Sequence, residues 1–287
     1  MKVLVTGGSG FLGKALCRAL LAQGDDVTSL QRHHSVELEH FGVRQVLGAL
    51  DDADRVRQAL HGVDAVVHNA AMASGWGAWE DYYRTNVTGT NCLLQACRAR
   101  NIRRFVYTST PSVVHAGRHA VAGGNESNTP YGRHFSAHYP HTKMLAERAV
   151  LAANDSALAT VALRPRLIWG PGDTQLLPRL VERAKAGRLR FIGDGNNRMD
   201  CTYIDNVVDA HLLALARIEP GATCAGKAYF ISNGEPWPIR DIVNGLLAAA
   251  DAPLVEKTLP FPVAYAIGVV CEGIWRIGRL GGEPPMT

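Results

Sequence analysis

Residues Val3-Leu4-Val5-Thr6-Gly7-Gly8-Ser9-Gly10-Phe11-Leu12-Gly13 limit what this chain can fold into more than any other stretch. A β-branched run passes straight into glycines and then into a helical pattern. Gly7, Gly10 and Gly13 are spaced G-x-x-G-x-x-G, while Gly8, Gly10 and Gly13 also satisfy G-x-G-x-x-G. Positions without side chains permit a tight turn, close approach of backbone to a pyrophosphate and close packing of helix on strand. The helix that follows offers unpaired N–H groups and the positive end of its dipole to phosphates. A merely structural turn is the competing reading, and the strand–turn–helix context favours a dinucleotide. Gly7, Ser9, Gly10, Phe11, Leu12 and Gly13 are the expected contacts.

The rest of the first 165 residues continues that unit. Lys2–Thr6, Val27–Leu30, Asp64–His68 and Arg104–Ser109 read as strands, and Thr160–Leu163 and Ala228–Ser232 as later ones. Phe11–Gln23, Asp52–His61 and Glu80–Arg100 carry apolar residues at helical spacing. This alternation predicts an α/β fold of Rossmann type, a doubly wound parallel sheet with a smaller C-terminal substrate lobe. Residues 1–165 form the expected cofactor domain. Residues 166–287 are expected mainly on the substrate side, with some segments returning to the sheet. His115–Ala137 and Pro171–Gln175 read as irregular loops.

The end of the second strand selects the dinucleotide. An NAD site usually carries a carboxylate about 20 residues after the glycines, for the ribose 2′-hydroxyl. Here the strand ends in Gln31-Arg32-His33, with an arginine for a 2′-phosphate. NADP(H) is therefore expected over NAD(H), with Arg32 as its contact; a solvated loop arginine is the bland alternative.

Tyr139-Pro140-His141-Thr142-Lys143 sets a phenol and an ammonium four residues apart, hence on one helix face. A free phenol titrates near pH 10, and a neighbouring cation lowers that value. Tyr107-Thr108-Ser109-Thr110, a hydroxyl-rich strand end, supplies a partner to hold a carbonyl against the phenol.

Composition narrows the partners. A net charge of +4, from 30 basic and 26 acidic residues without a basic run, gives no field for nucleic acid. Cys17, Cys92, Cys97, Cys201, Cys224 and Cys271 show neither a C-x-x-C pair nor zinc spacing. The N-terminus lacks the apolar stretch of roughly 7–15 residues of a signal peptide, so the chain is expected to be cytoplasmic and reduced. His115, His119, His134, His138 and His141 cluster in sequence without a zinc-like order, and no metal is expected. Phe261–Cys271 is almost wholly apolar but shorter than the span of about 20 residues that crosses a bilayer. With Glu272, Arg276 and Arg279 sharing one face, the 261–280 segment reads as a helix packed on a core. A lid over a greasy substrate or a peripheral membrane helix are the alternatives.

At this point the chain resembles the extended short-chain dehydrogenase/reductases, and within them the 3β-hydroxysteroid dehydrogenase family. The resemblance rests on Thr6–Gly13, His68-Asn69-Ala70-Ala71, Thr85–Thr90, Tyr107–Val113, Tyr139–Lys143, Arg164-Pro165, Trp169-Gly170-Pro171 and Tyr203–Val207. It implies Tyr139 as proton donor or acceptor and Lys143 as its electrostatic partner and ribose contact. It places the catalytic Ser/Thr on Thr110, with Ser109 weaker. Ala70 and Ala71 would line the cofactor, Pro165 would touch the nicotinamide end, and Asn86 would be structural. The family's acidic adenine contact falls on Ala49, leaving Asp51 a weak substitute. Family members usually extend some tens of residues beyond the point matching Thr287, which implies a missing terminal segment.

More narrowly, the chain is similar to bacterial reductases of long-chain olefin biosynthesis and to sterol-4α-carboxylate 3-dehydrogenases. This implies NADPH-dependent reduction of a hydrophobic 2-alkyl-3-oxoalkanoate to its 3-hydroxy acid. A homodimer is implied, with a peripheral membrane or multienzyme contact through the 261–280 helix. Arg118, Arg133 or Arg166 would meet the substrate carboxylate. A steroid or sterol dehydrogenase, a nucleotide-sugar epimerase or dehydratase, and an NADP-binding regulator without catalysis are the rival readings. Retention of both Tyr139 and Lys143 weighs against the last.

Overall fold

A computed structural model describes residues 1–115, 121–278 and 284 of the chain. Arg118, His119, Arg279 and the stretch from residue 279 to the end of the expected helix lie outside the described residues, as does the side chain of Arg276.

The chain divides into two compact units. The first comprises Met1–Ser74, Ala78–Ile168 and Thr202–Ser232. It holds a seven-stranded sheet of β1 (Lys2–Thr6), β2 (Asp26–Gln31), β3 (Arg44–Leu47), β4 (Ala65–His68), β5 (Arg104–Thr108), β6 (Ala159–Pro165) and an edge strand, Lys227–Ile231. Their order from that edge is edge strand, β6, β5, β4, β1, β2, β3. Every neighbouring pair is parallel.

Alternation along the strands feeds two apolar layers. Val3, Val5, Val67, Val106 and Val161 face α1 (Phe11–Ala22) and a later helix, Ile204–Arg217, through Leu16, Leu20, Val207 and Leu215. Leu4, Val66, Phe105 and Ala162 pack on the other side, against side chains of α3 (Ala53–Ala59), α5 (Gly89–Ala99) and α6 (His138–Ala152). The short helix α2 (Val36–His40) precedes β3, and α4 (Trp79–Tyr83) precedes α5. The sheet is thus covered on both faces, as parallel sheets require. The strand order reverses between β1 and β4, which opens a crevice at their carboxyl ends.

Glu80–Arg100, expected as one helix, is interrupted. Arg84–Thr88 forms a π-helical turn between α4 and α5.

The second unit comprises Gly75–Gly77, Trp169–Cys201 and Asn233–Thr287. Phe191, Val243, Leu247, Ala252 and Val255 form its small core with Ala184 of α7 (Leu176–Lys185); α8 is Ile204–Arg217 of the first unit and α9 (Ile239–Ala249) carries Val243 and Leu247. The last helix, α10 (Phe261–Gly278), corrects the packed-on-a-core expectation. Among the described residues, Ala264 and Gly268 are its buried ones, while Phe261, Tyr265, Val270 and Ile277 stand exposed. With two small residues turned inward, a largely apolar helix keeps most of its side chains in solvent. No described helix is long and apolar enough to cross a membrane.

Candidate active site

The glycine loop is built by exclusion of side chains. Gly7 adopts φ +70°, and its N–H donates to the Leu30 carbonyl at 2.9 Å. A Cβ on Gly7 would lie 2.9 Å from Ala70 Cα, and one on Gly8 would lie 2.3 Å from Ser29 Oγ. A Cβ on Gly13 would stand 2.1 Å from the Gly7 carbonyl oxygen. Gly10 caps α1 with no side-chain hydrogen bond, and no acidic residue occupies the first turn. Ser9 and Gly10 are exposed and Phe11 half-buried, while Leu12 is buried in the core. The cradle fits a pyrophosphate, with backbone N–H groups unscreened by carboxylates.

Ala70 and Ala71 follow β4 directly and sit beside this loop, both half-buried. The Ala70 N–H donates to Thr6 Oγ1 at 3.0 Å, which locks the ends of β1 and β4 together. Arg32 is exposed and makes no hydrogen bond or ion pair among the described residues. Behind it Gln31 is buried and donates to Gln45 Oε1 at 2.7 Å, so the loop springs from a fixed strand end. Asp51, past the end of β3, is exposed and lies 3.9 Å from Arg84 Nε.

The structure brings Thr110, Tyr139 and Lys143 together. Thr110 leaves β5 in extended geometry and starts a short turn, Pro111–Val113, accepting the Ser112 N–H at 3.2 Å. Its hydroxyl donates to Ser112 Oγ at 3.2 Å and lies near enough to the Tyr139 phenol to act on its ionisation. Ser109 Oγ beside it is buried without a hydrogen-bond partner among the described residues. Lys143 is 2% exposed; its Nζ donates to the Thr108 carbonyl at 2.7 Å and lies 4.1 Å from the Tyr107 ring centroid.

Electrostatics here depart from expectation. Burial pushes the Tyr139 phenol up to about 12, with the nearby Thr110 hydroxyl opposing it. Although Tyr139 as a residue is half-exposed, its hydroxyl end is enclosed. The Lys143 ammonium donates to the Thr108 carbonyl and is pushed down to about 7 by burial, with Glu147 opposing that shift. The phenol is therefore protonated at neutral pH.

Asn86, in the π turn, accepts the Met72 N–H at 2.8 Å and donates to the Met72 carbonyl at 3.1 Å. It also donates to Thr142 Oγ1 at 3.0 Å, pinning the loop after β4 to the helix that carries Tyr139. His138 and His141 sit in an aromatic cluster: Trp79 packs 5.0 Å from the His141 ring, and Phe135 stacks on it at 5.4 Å. Pro165 is buried at the end of β6, and Arg166 follows it, half-buried; Arg133 is exposed.

Two supporting groups were not read from the sequence as such. His211 of α8 is fully buried, with Nε2 2.8 Å from Thr108 Oγ1 and Nδ1 2.7 Å from the Val207 carbonyl. It braces the residue whose carbonyl holds Lys143. The available signal was a histidine on the apolar stripe Val207, Val208, Leu215. The second group is the Arg164–Glu147 ion pair, buried where α6 meets β6.

Comparison with known proteins agrees with this architecture. The family model described as "3-beta hydroxysteroid dehydrogenase/isomerase family" matches residues 4–263. A 2-alkyl-3-oxoalkanoate reductase of Stenotrophomonas maltophilia is 58% identical over 100% of this chain and 87% of its own length. A sterol-4-alpha-carboxylate 3-dehydrogenase (decarboxylating) of Mus musculus is 35% identical over 92% of this chain and 73% of its own length. Among solved structures, a Thermus thermophilus UDP-glucose 4-epimerase in complex with NAD superposes with a TM-score of 0.75 at 27% identity, covering 92% of this chain and 88% of that one. The chain belongs to the 3-beta hydroxysteroid dehydrogenase/isomerase family and is an oxidoreductase.

Proposed function

We propose that this enzyme uses NADPH to reduce the 3-oxo group of a hydrophobic 2-alkyl-3-oxoalkanoate to the 3-hydroxy acid, as in long-chain olefin biosynthesis. The observation that carries the reading is the Tyr139 hydroxyl, protonated at neutral pH beside the Thr110 hydroxyl, with Lys143 one turn along the helix. That is the resting state a ketone reductase needs, because its acid must hold a proton to deliver. The 58% identity to a relative named for this reaction supports the substrate class. The missing carboxylate after β2 and the unengaged Arg32 support the 2′-phosphate.

The glycine loop, Arg32, Ala70, Ala71 and Pro165 would hold the cofactor, with Asp51 a weak adenine contact. When bound, the reduced nicotinamide supplies a hydride to the substrate's carbonyl carbon. Thr110 Oγ1 and the Tyr139 hydroxyl would both face the carbonyl oxygen. Thr110 stabilises the charge that develops there, and Tyr139 transfers its proton to it. Lys143 holds positive charge beside the phenolate left behind until a proton returns from solvent.

Residues 166–287 supply most of the substrate side in this reading, with Arg166 or Arg133 meeting the carboxylate. The exposed apolar side chains of α10 support a peripheral membrane contact of a cytoplasmic homodimer. The decisive assay follows NADPH and NADH oxidation with 2-alkyl-3-oxoalkanoates, 3-oxosteroids and UDP-sugars as separate substrates. Turnover of the β-oxo acid with NADPH is expected. Turnover of a steroid alone, or a preference for NADH, would overturn the substrate or the coenzyme respectively.

A further inference from the structure

The face of α6 that presents Tyr139 and Lys143 carries a third ionisable residue, at the same spacing. Glu147 stands one turn beyond Lys143 and is completely buried. Residues four apart on a helix share a side, so the three groups form one row from the phenol inward. A carboxylate shut away from water stays charged only where partners replace the lost hydration. Glu147 has three such hydrogen bonds from one cation. Arg164 donates Nη2 to Oε1 at 2.5 Å and Nε to Oε1 and Oε2 at 3.2 and 3.0 Å. The Tyr131 hydroxyl adds a fourth, to Oε1, at 2.7 Å. Arg164 is itself 5% exposed and lies over the Phe230 and Tyr131 rings.

Lys143 has no carboxylate within ion-pair distance among the described residues; the Thr108 carbonyl and the Tyr107 ring are its direct partners. The groups facing it are Tyr139 and Glu147 on α6, Tyr107 on β5, His68 on β4, and Arg164 and Tyr131 behind Glu147. Tyr107 and Tyr139 are held protonated by burial, and burial holds His68 neutral, down to about 3. That leaves Glu147 as the negative charge acting on the ammonium.

We infer that Glu147 is a positioning residue for the proposed chemistry: its buried carboxylate supports the Lys143 ammonium, and its pairing with Arg164 ties α6 to β6 next to Pro165. Burial alone drives Lys143 down, and Glu147 is the group that opposes it. A buried ion pair is weak evidence for stability, since an apolar pair of similar volume often serves as well. Its place one turn from a titrating lysine gives it an electrostatic task instead. The inference rests on the functional reading of this site, and its test is chosen to work without substrate.

The chain has six lysines, at 2, 14, 143, 185, 227 and 257. Lysine-selective isotope labelling, with Lys143→Arg for assignment, lets the Lys143 signal be followed against pH. Three variants are compared with the parent. Glu147→Gln removes the charge, and Glu147→Gln with Arg164→Gln removes it without leaving an unpaired guanidinium. Glu147→Asp keeps the charge. The Lys143 midpoint is expected to fall by about one pH unit in both neutral variants, a roughly tenfold rise in the neutral fraction at pH values below the midpoint. It is expected to stay near the parent value in Glu147→Asp. In turnover, kcat of the neutral variants is expected to fall about tenfold at pH 7.5 and to recover as pH is lowered. If Glu147→Gln does not fold, the double variant decides. An unmoved Lys143 midpoint, or an activity loss equal at every pH, would assign Glu147 a structural role only. Failure of all β-oxo acids as substrates would instead strike the functional reading, leaving the lysine titration intact as a test of this one.

Discussion

Thr6 Oγ1 and His68 Nδ1 stand 2.7 Å apart, joining the first strand of the sheet to the fourth at the root of the glycine loop. The hydroxyl already accepts the Asn69 and Ala70 N–H groups at 3.1 and 3.0 Å, so its own hydrogen goes to Nδ1. The ring proton is thereby assigned to Nε2, which donates to Thr90 Oγ1 at 2.9 Å; Thr90 in turn donates to the Asn86 carbonyl at 2.6 Å. Thr6→Val leaves the buried His68 ring and the half-buried Asn69 and Ala70 N–H groups short of a bond. A loss of about 1–3 kcal/mol of stability is expected, together with weaker NADPH binding. Denaturant unfolding and fluorescence titration measure the two effects; a variant equal to the parent in both would remove the network from the account.

The same histidine makes the fold acid-sensitive. Burial holds His68 and His211 neutral, down to about 3 and about 4, whereas an unfolded histidine titrates near 6.5. Between those values the unfolded chain binds protons that the native chain refuses, so stability falls as pH falls. The loss begins near pH 6.5 and amounts to about 1.4 kcal/mol per pH unit for each group. Urea midpoints at pH 7.5 and 5.5 test this, and His211→Asn should reduce the slope. A midpoint independent of pH would contradict it.

Gly10 and Gly13 are separable. A methyl at Gly13 meets the Gly7 carbonyl oxygen at 2.1 Å and Gly8 Cα at 2.8 Å, both backbone, so Gly13→Ala must open the loop. A methyl at Gly10 has the Gly7 oxygen as its nearest neighbour, at 3.3 Å. Thermal unfolding is expected to show Gly13→Ala strongly destabilised and Gly10→Ala nearly unchanged. NADPH affinity should fall at least about tenfold in both, because the backbone of each approaches the pyrophosphate.

Coenzyme choice should turn on Arg32. Arg32→Asp replaces a cation for the 2′-phosphate by an acceptor for the 2′-hydroxyl. The ratio of NADPH to NADH efficiency is expected to drop more than about tenfold, with stability unaffected since Arg32 is exposed and makes no ion pair among the described residues. An unchanged ratio would remove Arg32 from the cofactor site.

Tyr139→Phe should cost about 10²–10⁴ in kcat while NADPH binding stays within a few-fold. Thr110→Val should cost about 10² by loss of one oxyanion donor. Turnover of Tyr139→Phe close to that of the parent would show that another group delivers the proton.

Most of the sheet was legible because Lys2–Thr6 and Arg104–Thr108 alternate with little else to be. The cofactor cradle was legible because glycine spacing reports steric exclusion directly. β3 escaped the reading of strands: Arg-Gln-Val-Leu offers four residues with one apolar side chain buried. The proximity of Tyr139 and Lys143 follows from helix geometry, but their charge states do not. Those depend on the Thr108 carbonyl, 35 residues from Lys143, and on burial that no local pattern encodes. His211 and Glu147 read locally as helix residues, and their partners Thr108 and Arg164 come from other elements of the sheet. For α10, apolar composition predicted burial, and composition alone does not specify a covering surface.

The π turn at Arg84–Thr88 makes the spacing between α4 and α5 a functional quantity. Such a turn accommodates one residue more than an α-helical turn spanning the same length. Deleting a residue there, at Thr85 for example, would restore a regular helix that keeps the directions of α4 and α5 but turns the remaining residues of the bulge by up to about 100° about its axis. The Asn86 carboxamide would then leave Met72 and Thr142, and the loop after β4 would lose its tie to the helix of Tyr139. In this fold a change in length, with every side chain of the reacting trio intact, is enough to separate the cofactor loop from the phenol.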